Sequence, residues 1–155
     1  MCILLIQTYE ICDALRYIAN PVNGSSYNFA VPQNGSVSFK INHKTIASGG
    51  GGCFVQLVDS SHTYFVGNWA SNGTNGLLIR NTGSSSNLVS LQPTATVQGN
   101  TEHYIEATWN NGTWTYTLDT ETVTGNGNYT PTSLKTIEIR PSDGSYLIDL
   151  IIKPL

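Results

Sequence analysis

Charge is scarce in this 155-residue chain: Asp, Glu, Lys and Arg together make up 11% of it, against about a quarter in an ordinary soluble domain. The formal net charge is −3, and the basic residues Arg16, Lys40, Lys44, Arg80, Lys135, Arg140 and Lys153 are scattered. No cluster among them could neutralise a run of phosphates, so nucleic acid is not an expected partner. Long apolar runs are missing as well. Ile3–Ile6 and Leu147–Ile152, the latter broken by Asp149, fall far short of the roughly 20 residues a membrane-spanning helix requires, so no membrane span is expected.

Cysteine is sparse. Cys2, Cys12 and Cys53 are odd in number and include no CxxC pair, which signals neither a disulfide framework nor a zinc site. A Cys2–Cys12 bridge stays open. The start, Met1-Cys2-Ile3-Leu4-Leu5-Ile6, lacks basic residues and has too short an apolar core for a recognisable secretory signal.

Polarity comes instead from Asn, Gly, Ser and Thr, which makes a neutral, hydrogen-bonding surface. Sequons stand at Asn23, Asn34, Asn72, Asn111 and Asn128, and Asn-rich turns produce this pattern by chance. The length suits one domain with a single sizeable core.

Ile3–Ile18 is the one stretch where helix competes with strand, because Leu4, Ile11, Leu15 and Ile18 recur at spacings of seven, four and three. A short helix or a connector is expected there, ending where Pro21 disfavours helical geometry in Asn20. Residues 1–20 are accordingly read as an extension and 21–155 as the domain. Beyond Pro21, short alternating runs separated by Gly, Asn, Ser and Pro clusters predict antiparallel strands. These fall near Tyr27–Val31, Val37–Ile41, Cys53–Asp59, Tyr64–Asn68, Leu77–Arg80, Leu88–Leu91, Glu102–Trp109, Thr113–Asp119, Thr136–Arg140 and Tyr146–Lys153. So many strands in one small domain imply two packed sheets. Loops are expected at Ser48–Gly52, Ala70–Gly76 and Thr82–Asn87.

The best-specified piece is a hairpin turning at Asn111-Gly112, two residues tolerant of the positive φ that a type I′ turn demands. Pairing outward from Asn110 and Thr113 sets Trp109 against Trp114, Ala107 against Tyr116 and Ile105 against Leu118 on one face. Thr108 and Thr115, Glu106 and Thr117, and Tyr104 and Asp119 share the other. A slip of one residue would mix the two sets, so pattern and turn agree on the register. Alternation also assigns Val37, Phe39, Ile41, Val55, Leu57, Leu77, Ile79, Ile137 and Ile139 to the core. Lys40, Gln56, Arg80, Glu138 and Arg140 fall on wetter faces. The final strand reads as apolar on both sides for part of its length, which predicts a central position.

Three stretches carry a family resemblance: Ser36-Val37-Ser38-Phe39-Lys40-Ile41, the hairpin Tyr104–Trp109 with Thr113–Leu118, and the closing Tyr146-Leu147-Ile148-Asp149-Leu150-Ile151-Ile152. Together they resemble the concanavalin A-like, or laminin G-like, jelly-roll superfamily over roughly Tyr27–Leu155. The resemblance implies an all-β, two-sheet antiparallel jelly-roll sandwich. It also implies glycan recognition, adhesion or host attachment, or, in some branches, glycan hydrolysis. The hydrolase branch carries ExDxxE on one strand. Here Glu102 and Glu106 stand alone on theirs, and Asp149 lacks flanking acids.

A hydrolase needs two carboxyls about 5–10 Å apart, which Glu106 and Glu138 would supply only if their strands adjoined. No GxSxG elbow occurs, and His43, His62 and His103 are expected as solvated surface residues. Asp59, Asp119, Asp143 and Asp149 lack the dense carboxylates of a calcium loop, although jelly rolls also assemble calcium sites from separate loops. No cofactor is called for, and no enzyme is expected.

Sugar recognition needs aromatic faces and neutral hydrogen-bonding groups rather than net charge. Tyr64, Asn68 and Trp69, leading into the polar loop at 70–76, form one candidate surface. Tyr104 and Glu106 with Arg80 form a second. Trp109 and Trp114 are assigned to the core. The expected function is a non-catalytic lectin-like domain of a surface adhesin or viral attachment protein, binding a glycan or cell-surface ligand outside the cell. The alternative is a structural jelly-roll module of a virion fibre or adhesin stalk, forming homo-oligomers, with Ile3–Ile18 packed on a partner chain.

Overall fold

The computed structural model describes residues 11–12, 15–43, 52–69, 75–138 and 145–155. The expectations attached to Cys2, to residues 3–10, to Lys44, to residues 48–51 and 70–74, and to Ile139, Arg140 and Asp143 lie outside these residues, as do the side chains of Cys12 and Glu138.

The described residues form thirteen strands: β1 (Ile11–Cys12), β2 (Leu15–Ile18), β3 (Tyr27–Ala30), β4 (Gly35–Asn42), β5 (Cys53–Val58), β6 (His62–Asn68), β7 (Asn75–Asn81), β8 (Asn87–Leu91), β9 (Glu102–Asn110), β10 (Thr113–Leu118), β11 (Glu121–Asn126), β12 (Ser133–Glu138) and β13 (Tyr146–Pro154). A seven-stranded sheet runs β1-β2-β13-β4-β9-β10-β11 and a six-stranded sheet β3-β12-β5-β6-β7-β8. All neighbours are antiparallel. The core lies between the two sheets, giving the two-sheet sandwich expected from the pattern, in the jelly-roll form the resemblance implied.

The hairpin has the predicted register, residue for residue. Asn111 (φ 46°) and Gly112 (φ 82°) hold the turn, and burial alternates strictly along both strands. Trp109 and Trp114 meet with ring centroids 5.4 Å apart. Their indole N–H groups donate to the carbonyls of Pro32 (2.9 Å) and Tyr129 (3.0 Å), so neither buried indole leaves its polar atom unsatisfied. Tyr64, reaching down from the other sheet, stacks on Trp114 at 5.4 Å and 25°. An aromatic seam thus joins the two layers.

Three features depart from the expectation. Leu15–Ile18 is neither helix nor connector: it is a strand laid against β13, with Leu150 opposite Ile18, and Ile18 is in the core. The backbone partners that β13 offers outweigh a weak helical spacing. In β13 the register shifts between Ile148 and Ile151, and Asp149 adopts φ 53°. This bulge reverses the parity, so Leu147 and then Leu150 and Ile152 point inward. That reversal is why both faces read as apolar. Lastly, β11 is a strand that alternation did not reveal.

The histidines also differ from the solvated positions expected. His43 is fully buried, and its Nδ1–H meets Asn68 Oδ1 at 3.1 Å. His103 is 6% exposed. Its Nε2 accepts from the Gln98 N–H at 2.9 Å, so the ring proton sits on Nδ1 and is donated to Asp119 Oδ2 at 2.7 Å. Asp119 occupies the β10–β11 turn at φ 53° and also accepts from the Tyr104 N–H. His62 is half-buried against Tyr129.

Candidate functional site

Three strands in the middle of the six-stranded sheet set a distinctive outer face. In β5, Cys53, Val55 and Leu57 point into the core, which leaves Phe54, Gln56 and Val58 outside. In β6, Tyr64, Val66 and Asn68 point inward and Phe65 and Gly67 outward; in β7, Leu77 and Ile79 point inward and Gly76, Leu78 and Arg80 outward. Cross-strand pairing lines up Phe54, Gly67 and Gly76 in one row and Gln56, Phe65, Leu78 and Ser90 in the next.

The Phe54 and Phe65 rings meet edge to face at 5.8 Å. The Arg80 guanidinium lies 5.3 Å from the Phe65 ring centroid, and its Nε donates to Asn87 Oδ1 at 2.7 Å. That pair of contacts holds the guanidinium while leaving its Nη donors without a partner among the described residues. Gly67 and Gly76 face each other in the ladder. A Cβ on Gly67 would sit 2.6 Å from the Cys53 carbonyl oxygen, and one on Gly76 would sit 2.1 Å from that of Leu91 and 3.1 Å from Trp69 Cη2. Both glycines are buried: their missing side chains let the neighbouring strands' backbone, and at Gly76 the Trp69 ring, pack closely. Aromatic surface, a positioned cation and the amides of Gln56 and Asn87 are groups suited to hold a neutral polyhydroxyl ligand.

Of the residues singled out from sequence, Trp69 and Arg80 share this face. Tyr64 and Asn68 lie inside the sandwich, each 0% exposed. Tyr104 and Glu106 lie on the outer face of the seven-stranded sheet, across the molecule from Arg80. There Tyr104 is 39% exposed. Burial raises its hydroxyl pKa, a bond with Ser38 lowers it and the Glu106 charge raises it, leaving it above the ordinary value. The strands of Glu106 and Glu138 belong to different sheets and do not adjoin. Phe54, Phe65 and the two glycines were missed. Assigning Val55 and Leu57 to the core already placed Phe54 outside, whereas Tyr64-Phe65-Val66 is apolar at every position and hides its parity.

The described carboxylates are engaged. Asp149 accepts from Tyr17 OH (2.9 Å) and lies 3.4 Å from Lys40 Nζ. Asp59 accepts from the N–H groups of Ser61 (2.7 Å) and His62 (2.8 Å), from His62 Nδ1 and from Tyr64 OH. Among the described residues no three His, Cys, Asp or Glu side chains gather around a metal position.

Burial alone would raise the Asp59 pKa, but the bonds from Tyr64, Ser61 and His62 together hold it below the usual carboxylate value. A group depressed on folding contributes stability above its unfolded pKa and loses it as the pH falls through the folded one. The native state is thus expected to weaken as the pH drops below about 4. Urea midpoints measured from neutral to acid pH should show a steeper fall for the parent chain than for Asp59→Asn; parallel curves would remove Asp59 from the account.

No protein-family model matches the sequence, and no curated protein matches it. Solved structures do match the fold. A galectin from Caenorhabditis elegans superposes with a TM-score of 0.61 at 10% identity, covering 88% of this chain and 95% of its own. A carbohydrate-binding module from Bacillus subtilis gives 0.52 at 10% identity, covering 99% and 88%. An endo-β-galactosidase from Clostridium perfringens gives 0.51 at 9% identity, covering 89% of this chain and 45% of that one. At such identities the likeness is one of architecture alone: the chain shares the two-sheet jelly-roll sandwich of these structures.

Proposed function

We propose that this domain binds a glycan on the outer face of its six-stranded sheet, as the non-catalytic recognition module of a protein displayed on a cell surface or a virion. The observation that carries the reading is the half-buried Phe54–Phe65 pair with the Arg80 guanidinium held over Phe65, on the face where Trp69 packs beside Gly76. A pyranose has one largely apolar face, which stacks on an aromatic ring, and a rim of hydroxyls, which pairs with guanidinium and amide groups. The half-buried Phe54 and Phe65 rings and the Arg80 guanidinium offer both kinds of contact on one face. The two neighbours named for carbohydrate binding or as a galectin share the architecture, which supports the reading without supplying its residues.

A glycan array read with the parent chain, followed by titration of the best ligand, tests it. Trp69→Ala and Arg80→Ala are each expected to weaken binding at least tenfold, about 1.4 kcal/mol, while Glu106→Ala on the opposite sheet leaves the affinity unchanged. Absence of binding to every glycan would remove the proposal. Loss on Glu106→Ala with retention on Trp69→Ala would move the site to the other face.

A further inference from the structure

The two sheets end in four edges among the described residues, and they are not alike. β1 has two residues. β3 pairs with β12 through a register shift, and β8 pairs with β7 through another. Short or bulged edges resist pairing with other chains. β11 has neither protection: six residues, Glu121–Asn126, pair with β10 without a shift, and contain no Pro, Lys or Arg.

Its open side follows from the ladder. Asp119-Thr120 is a two-residue turn closed by Leu118 and Glu121, and the Gly127 N–H reaches the Gly112 carbonyl at 2.8 Å, so the hydrogen-bonded pairs of β10 and β11 are Leu118–Glu121, Tyr116–Val123 and Trp114–Gly125. The intervening Thr122 and Thr124 direct both N–H and C=O away from β10. No backbone group of either has a partner among the described residues outside the sheet. Their side chains are exposed on the outer face, where cross-strand hydroxyl pairs already run: Thr108 with Thr115 at 2.6 Å and Thr117 with Thr122 at 2.9 Å.

We propose that β11 is a homodimerisation edge, occupied by β11 of a second copy in antiparallel register about a two-fold axis at Val123. In that register Thr122 lies opposite the second copy's Thr124 and Thr124 opposite its Thr122. Each pair exchanges two N–H···O bonds, and the outward groups of one edge meet the outward groups of the other. The hydroxyl rows continue across the junction. Charge favours the match, because the only ionised side chain on the strand, Glu121, turns back to accept from the Thr94 N–H and hydroxyl and the Ala95 N–H. The axis sets it opposite Gly125 rather than against its own copy. Such an isologous contact closes on itself and makes a dimer rather than a fibre. Because the axis is perpendicular to the joined sheet, both six-stranded sheets lie on the same side of it. If the glycan reading holds, the two binding faces are then presented in one direction, and bivalent attachment to a surface follows.

Sedimentation equilibrium on the full chain tests this independently of any ligand. The parent is expected to move from 16.8 kDa when dilute towards twice that mass as its concentration rises to about 1 mM. Thr122→Lys/Thr124→Lys and Thr122→Asp/Thr124→Asp each set like charges against each other twice across the axis and are expected to stay monomeric. Both alter only exposed positions, and circular dichroism checks that they remain folded. Mixing the two is expected to restore the dimer mass through Lys–Asp pairing. A parent that stays monomeric throughout, charged variants that dimerise as the parent does, or a mixture that stays monomeric would each overturn the proposal.

Discussion

Trp114→Ala is expected to lower the free energy of unfolding by about 3–5 kcal/mol, a large share of the roughly 5–15 kcal/mol that holds a domain of this kind together. Trp114 is 0% exposed, and the rings of Trp109 and Tyr64 sit against it at 5.4 Å on either side. Truncation opens a void at the seam between the sheets, and the sheets can close over it only by moving as layers. It also deprives the Tyr129 carbonyl of the indole donor. Urea unfolding followed by far-ultraviolet circular dichroism measures the loss, with Trp69→Ala as a half-buried comparison expected to cost much less. A loss below about 1.5 kcal/mol for Trp114→Ala would mean that the seam is not the joint between the layers.

Gly76→Ala is the second large effect, about 2–4 kcal/mol. Gly76 adopts φ 149°, where a side chain is strained, and its added methyl would press on the Leu91 carbonyl oxygen at 2.1 Å. Gly83 is the internal comparison: it too has positive φ, 81°, but nothing lies within 4 Å of its methyl position. The same substitution there carries the conformational term alone, about 1 kcal/mol. Equal losses at the two sites would show that the contact with β8 contributes nothing. The Gly76 methyl would also push on the Trp69 ring, so any ligand bound on that face should be held more weakly by the alanine variant.

What could be read in advance depended on whether two signals agreed. At Asn111-Gly112 the turn chemistry and the alternation of Trp109, Ala107 and Ile105 pointed to one register, and every pair fell into place. In β13 only alternation was available, and the bulge at Asp149 reversed it midway. β11 offered a single apolar side chain, Val123, between threonines, because an edge strand buries little and so carries little pattern. The candidate face shows the same dependence. Trp69 and Arg80 were recognisable from their chemistry, but whether Tyr64 or Phe65 pointed outward depended on a parity that a wholly apolar run conceals. Side-chain chemistry groups Arg80 with Tyr104, although only the order of strands decides which sheet holds each. The buried state of His43 and His103 depends on Asn68, Gln98 and Asp119, partners scattered along the chain that no local spacing announces.

β13 lies between β2 and β4, joining the first-made strands of the seven-stranded sheet to the rest. On a ribosome, β4 is complete at Asn42 and waits for Tyr146, which at ordinary elongation rates is a delay of about 5–20 s. Through that interval Val37, Phe39 and Ile41 can cover one face against the other strands, but the flank of β4 that β13 will occupy remains an open template. The nascent chain is therefore exposed to mispairing along β4 until β13 is made, and a chaperone that shields β4 through that interval would raise the yield of folded protein.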